Sequence, residues 1–103
     1  MKSLVGHDEK HQLNTLCKEV ERLFKDKQYE LCLERATLAV GQYPHAAEPH
    51  NLLGVLLEAK GMKAEAMKHY RAAIALEPGY RPARENLYRN GDLSNNSQRY
   101  SFK

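Results

Sequence analysis

Asn51–Leu57 reads NLLGVLL, four leucines and a valine set around one glycine. The run is too apolar for a surface loop, and its apolar residues fall at the spacing of a helix's buried side. Glycine in a helix interior costs about 1 kcal/mol relative to alanine. Gly54 therefore either breaks the helix or stands where a side chain has no room, and the choice between the two decides the fold.

Outward from this stretch the chain repeats. An offset of 34 residues lays Leu16 on His50, Val20 on Gly54, Leu23 on Leu57, Cys32 on Ala66, Leu38 on Ala72, Ala39 on Ala73 and Pro44 on Pro78, so small falls on small and proline on proline. Within the first unit Leu13, Leu16, Val20, Leu23, Phe24, Leu31, Ala36 and Ala39 follow helical spacing. In the second, Leu53, Leu57, Ala66, Tyr70, Ala73 and Ile74 do so. Each unit thus reads as two amphipathic helices. Glu48-Pro49 suits a helix start, Gly61 a stop before a second start near Met62–Glu65, Pro78-Gly79 the next stop, Tyr80-Arg81-Pro82 a third start and Asn90-Gly91 its end. The expected organisation is an N-terminal extension over 1–12, helix pairs over 13–46 and 47–80, a capping helix over 81–90 and a polar tail over 91–103.

Residues 47–80 closely resemble the tetratricopeptide repeat (TPR) in length and in Leu53-Gly54, Leu57, Gly61, Ala66, Tyr70, Ala73 and Pro78. Residues 13–46 resemble it less. Leu23, Tyr29, Ala39 and Pro44 fit, whereas Val20 replaces a small glycine, Lys27 a turn glycine, and His50 and Leu16 stand where the family often has tryptophan. The resemblance implies an all-α fold, a right-handed α-solenoid of two helix-turn-helix repeats plus a C-terminal capping helix. It also explains Gly54: in the family, paired helices cross closely at that glycine and at the small residue represented by Ala66, with Cys32 filling the same role in the first pair. Gly54→Leu is then expected to destabilise by about 1–3 kcal/mol through overpacking.

TPR domains are non-catalytic scaffolds that hold peptides or partner proteins on a concave face. The resemblance implies a face formed by Asn14, Cys17, Glu21, Phe24 and Lys25, then Glu48, Asn51, Val55, Glu58 and Ala59, then Glu85, Asn86 and Arg89. Cys17, Phe24 and Val55 would give it an apolar strip for a partner's hydrophobic side chains. Chaperone-binding members clamp a carboxylate with lysine, asparagine and arginine. Here Cys17, Glu21, Leu52 and Pro82 occupy equivalent places and only Asn86 matches, which argues against that specialisation.

The remaining features narrow the function classes. The 103 residues, 42% hydrophobic and 28% charged, suit one globular domain. No run approaches the roughly 20 apolar residues of a membrane span, and no stretch near the start reads as a signal peptide. Cys17 and Cys32 form no CxxC pair and are expected as reduced thiols in the cytoplasm, Cys32 in a structural role. Net charge is −2 over residues 1–59 and +5 over 60–103. The C-terminal bases are interspersed with Glu65, Glu77 and Glu85 and accompany no nucleic-acid motif, so a solvated helix surface is expected rather than nucleic-acid binding. Phosphate loops, nucleophile elbows, dinucleotide fingerprints and HExxH are absent from the sequence, and neither an enzyme nor a cofactor is expected. His7 and His11 share a helical spacing suited to a metal, but a third ligand is missing, and a frayed polar extension is the preferred reading. His45, His50 and His69 read as turn, packing and exposed residues.

The rival reading is self-assembly. Repeat arrays need about three units to bury a continuous core, and this one has two and a half. The last helix is expected to turn Ala83, Leu87 and Tyr88 toward the preceding pair and Arg84, Glu85 and Arg89 elsewhere. Leu4, Val5, Leu13 and Phe24 would stay exposed, meet a further domain or be covered by a second copy, making homo-oligomerisation the alternative role. The tail is expected to be mobile, although Tyr100 and Phe102 flanking Ser101 could serve as a short aromatic ligand for another molecule's groove.

Overall fold

The computed structural model describes residues 2–91 and 100–103, with the side chains of 8–89 and 100–103. Among these residues the chain is all α-helical. Five helices follow one another: α1 (Lys2–Lys25), α2 (Tyr29–Gln42), α3 (Glu48–Ala59), α4 (Lys63–Leu76) and α5 (Arg81–Gly91). Helix α1 runs without interruption across the boundary between residues 12 and 13, where the sequence places the end of an extension. Leu4 and Val5, like the side chain of His7, lie outside the described side chains.

The 34-residue offset reappears in the backbone. The N–H groups of Lys27 and Gln28 donate to the carbonyls of Phe24 and Leu23 at 3.0 and 2.9 Å, and those of Gly61 and Met62 donate to Glu58 and Leu57 at 2.9 Å each. Both turns are the αL type that ends a helix with reverse bonds to its last carbonyls. Gly61 has φ +86° and Lys27, without a glycine's freedom, has φ +62°. At the other end of each pair, Tyr43 and Glu77 donate to Ala39 and Ala73 at 2.8 and 2.9 Å. Helices α2 and α4 begin without a side-chain cap, with Glu30 and Glu65 facing the positive helix end in their first turns.

Helix α3 is the centre of the molecule. It packs against all four other helices, most extensively α4, and α1 and α5 each touch it on its remaining sides. Hence it is buried nearly all round: Glu48, Pro49, Asn51, Leu52, Gly54, Val55 and Leu56 are inaccessible, while the expected core residues Leu53 and Leu57 are only half-buried. Cys17, Val20, Leu23, Cys32, Ala36, Leu52, Val55, Leu56, Ala66 and Tyr70 form one continuous core.

Gly54 stays helical, and its neighbour explains it. A Cβ placed there would lie 2.6 Å from Cδ1 and 3.0 Å from Cζ of Tyr70, and the three nearest atoms all belong to that ring. The room is therefore taken by the Tyr70 ring, and Ala66, the small residue expected at the same crossing, is buried in the core beside it. The same offset pairs Gly54 with Val20 and Tyr70 with Ala36. The first helix pair thus carries larger-with-small where the second carries glycine-with-tyrosine, each filling its volume.

Two further expectations are corrected by the packing. Leu13 is 2% exposed, so it is not left open. Tyr88 points away from the preceding pair and is 71% exposed, whereas Arg89 and Asn86 turn inward.

Candidate functional site

The first helices of the successive pairs, α1 and α3, together with α5, meet along one face. Asn51 on α3 and Asn86 on α5 are fully buried there and bonded to each other, Asn86 Nδ2 donating to Asn51 Oδ1 at 2.9 Å. Asn86 lies about one turn before Arg89, and Asn51 about two turns before Glu58. Glu58 accepts the Tyr70 hydroxyl at 2.7 Å and two Arg89 guanidinium donors at 2.7 and 3.0 Å. The Arg89 and Glu58 side chains are only 12% and 11% exposed, and the fork-on-carboxylate geometry suits so dry a place. Hydrogen bonding to Glu58 raises the Arg89 pKa, while burial and then the Glu58 hydrogen bond raise that of Tyr70. Arg89 also reaches Asn86 Oδ1 at 3.2 Å, so tyrosine, glutamate, arginine and the two asparagines form one network.

This network holds the chain's own C-terminal residues. Asn51 Nδ2 and Asn86 Nδ2 both donate to the Ser101 carbonyl, at 2.8 and 2.9 Å, and the Ser101 N–H donates to Asn86 Oδ1 at 2.9 Å. Both main-chain groups of one residue are thereby taken up by side chains, as a neighbouring strand would take them up in a sheet. The Ser101 hydroxyl donates to Glu85 at 2.8 Å. On either side of it, Tyr100 and Phe102 pack edge-on against Phe24 with ring centroids 5.6 and 5.3 Å apart, and Tyr29 closes the cluster at 5.2 Å. Arg89 lies 5.0 Å over the Tyr100 ring, a cation–π contact. Phe102 is 6% exposed. The tail is thus packed at 100–102, a correction to the mobile tail expected from its polar composition. Residues 92–99 lie outside the described residues.

The expected face residues divide accordingly. Phe24, Asn51, Glu58, Glu85, Asn86 and Arg89 contact the tail or the side chains that hold it. Cys17 and Val55 are buried in the core beneath. Asn14 and Lys25 are exposed, and Glu21 is half-buried with Lys25 Nζ at 3.5 Å. Of the repeat positions, Gly54, Ala66, Tyr70 and Ala73 are buried, and Gly61 and Pro78 lie in exposed turns.

A second polar group adjoins Cys17. Glu48, 2% exposed, takes Lys10 Nζ on one oxygen at 2.6 Å, while its Oε1 is buried with no hydrogen-bond partner among the described residues, and the buried Tyr80 hydroxyl lies beside Cys17. Burial, reinforced by the Glu48 charge, pushes the Cys17 thiol up to about 12, and the Lys103 charge at the far end of the tail works against that rise. On the opposite side of α3, the His50 and His69 rings stack at 5.3 Å with their Nδ1 atoms 3.1 Å apart. His69 is therefore half-buried rather than the exposed residue expected. Neither histidine pairing nor the asparagine pair has a periodicity of its own in the sequence, since the partners are 19 and 35 positions apart.

A cavity of about 490 Å³ lies elsewhere, between α1 and α2, lined by Thr15, Leu16, Leu38 and Tyr43 beside the Arg35–Glu19 ion pair. Among the described residues no three of His, Cys, Asp and Glu come together as a metal site, and no helix is long and apolar enough to cross a membrane. No family model, curated protein or solved structure matches this chain.

Proposed function

We propose that the chain is a non-catalytic interaction module, a short right-handed TPR-like solenoid whose α1–α3–α5 face is a groove for an extended peptide segment of a protein partner. The observation that carries this reading is the main-chain grip on Ser101 by Asn51 and Asn86. Side chains that satisfy both backbone groups of a passing residue recognise extended chain as such, whatever its sequence. The Phe24 ring and the Arg89 guanidinium then select for aromatic side chains flanking that residue. The 34-residue repetition of both turn types supports a stacked array, because equal turns joining equal helices place each pair on the last in the same way.

The reading is tested by selecting from a library of random seven-residue peptides on the full chain and on Asn51→Ala/Asn86→Ala, with circular dichroism reporting the fold of each. Aromatic-rich sequences should be enriched on the wild type and not on the variant. Equal enrichment on a folded variant would place binding on another surface. Light scattering over a concentration series, beside Phe24→Glu, addresses the alternative: a dimer dissolved by that substitution would assign the face to self-assembly.

A further inference from the structure

The occupant of the face is part of the same chain, and its chemistry describes what the face accepts. Tyr100 and Phe102 are two residues apart and both lie against Phe24, which is the side-chain alternation of extended chain. Ser101 between them turns its hydroxyl to Glu85 and its backbone to the asparagines. Asn51 and Asn86 are 0% and 1% exposed with this segment in place, so their amides are satisfied at the cost of excluding anything else from the same atoms. A peptide cannot take that grip while Ser101 holds it.

We propose that Tyr100–Phe102 is an intramolecular pseudo-ligand that closes the groove, and that the partner is an unfolded segment carrying two aromatic side chains with one residue between them, which enters by displacing it. The inference rests on the groove reading above and adds to it both the partner's chemistry and a built-in competitor. Because the segment belongs to the same chain, its return to the face is intramolecular, at about millimolar effective concentration. If the free segment binds with a dissociation constant of about 0.1 mM, closure weakens an incoming ligand about tenfold. A modest ligand held nearby is thus an effective gate, and a partner must exceed it by a better aromatic fit or by contacts beyond the three residues.

The test uses a fluorescein-labelled peptide of residues 97–103, SQRYSFK, followed by anisotropy against the full chain and against Tyr100→Ala/Phe102→Ala. The substituted chain should bind the probe about tenfold tighter, and Phe24→Ala added to it should remove binding. Equal affinity of the two chains would overturn the closure while leaving the groove in place. Tight binding that survives Phe24→Ala would overturn the groove reading itself. Amide exchange on the wild type supplies an independent check that needs no substitution. The Ser101 N–H should be protected relative to the free peptide, at concentrations where light scattering shows a monomer. Exchange at the free-peptide rate would refute the closure. Protection confined to concentrations giving a dimer would show the occupant to be a second copy's tail, and would likewise refute an intramolecular gate. Protection of Ser101 together with no probe binding to either folded chain would leave the contact as a purely structural latch and sink the partner assignment.

Discussion

Replacing Gly54 by alanine adds one methyl group at a place where the Tyr70 ring already stands. The new Cβ would lie 2.6 Å from Cδ1, and the ring would have to retreat by about 1 Å to restore an ordinary carbon–carbon contact of about 3.5–4.0 Å. It has little freedom to do so. Tyr70 is 0% exposed, and its hydroxyl is bonded to Glu58, which is itself gripped by Arg89. Overpacking of this kind costs about 1–3 kcal/mol, and the gain in helix propensity from glycine to alanine returns about 1 kcal/mol. The expected net loss is about 1 kcal/mol, or a fall in melting temperature of about 4–8 °C for a domain of this size. Leucine at the same position should lose more. The decisive measurement is a double-mutant cycle by thermal or urea unfolding. With Tyr70→Leu in place the clash is gone, so Gly54→Ala should become stabilising by about 1 kcal/mol through propensity alone. Tyr70→Phe, which keeps the ring but frees it from Glu58, should give an intermediate result. Effects that add within about 0.5 kcal/mol would refute the assignment of Gly54 to the space of the Tyr70 ring.

Three other outcomes follow from the geometry. Lys27 holds a left-handed φ that glycine adopts without cost, so Lys27→Gly should raise stability by about 1 kcal/mol in urea unfolding; an unchanged midpoint would contradict this. Burial lowers the pKa of His50, helped by His69, and burial lowers that of His69 against a smaller opposing pull from Glu65. The folded state therefore favours neutral rings: their contribution is complete above the ordinary value of 6.5 and is lost as pH falls from there toward the lowered folded values. Melting temperature should decline between pH 7 and 5.5 in the wild type, and a His50→Gln/His69→Gln chain that shows the same decline would remove these residues as its cause. Both thiols are raised by burial, Cys17 to about 12, so at pH 8 each should react with a disulfide reagent far more slowly than free cysteine; one equivalent reacting at the free-cysteine rate would contradict the burial of one of the two.

The sequence by itself determined the helical character of the chain and the places where helices stop. Those properties are local: a helix is written in residues three and four apart, and a turn in the one or two residues that must adopt its backbone angles. Gly61 and the Pro44 and Pro78 turns were legible for that reason. Lys27 was legible only through its offset of 34 from Gly61, because lysine carries no turn signal. The sequence also marked Gly54 as a position without room, though not what filled the room.

What only the tertiary structure decided was which polar residues meet. The resemblance put Asn51, Glu58, Asn86 and Arg89 on one partner-binding face, but nothing in their spacing says that they bond to one another. They become a buried network because α5 lays its Asn86–Arg89 edge beside α3 and the C-terminal residues return over both. The same assembly leaves Tyr88 in solvent while Arg89, one residue on, is dry. Tyr100 and Phe102, in a segment too polar and short to have a periodicity, are placed by Phe24 across more than seventy residues of sequence. Contacts of that separation depend on the rotation of whole helices about their axes, which hydrophobic spacing constrains only to within a face. A shift of one residue in that rotation exchanges an exposed arginine for a buried one, so the site is a property of the packed molecule.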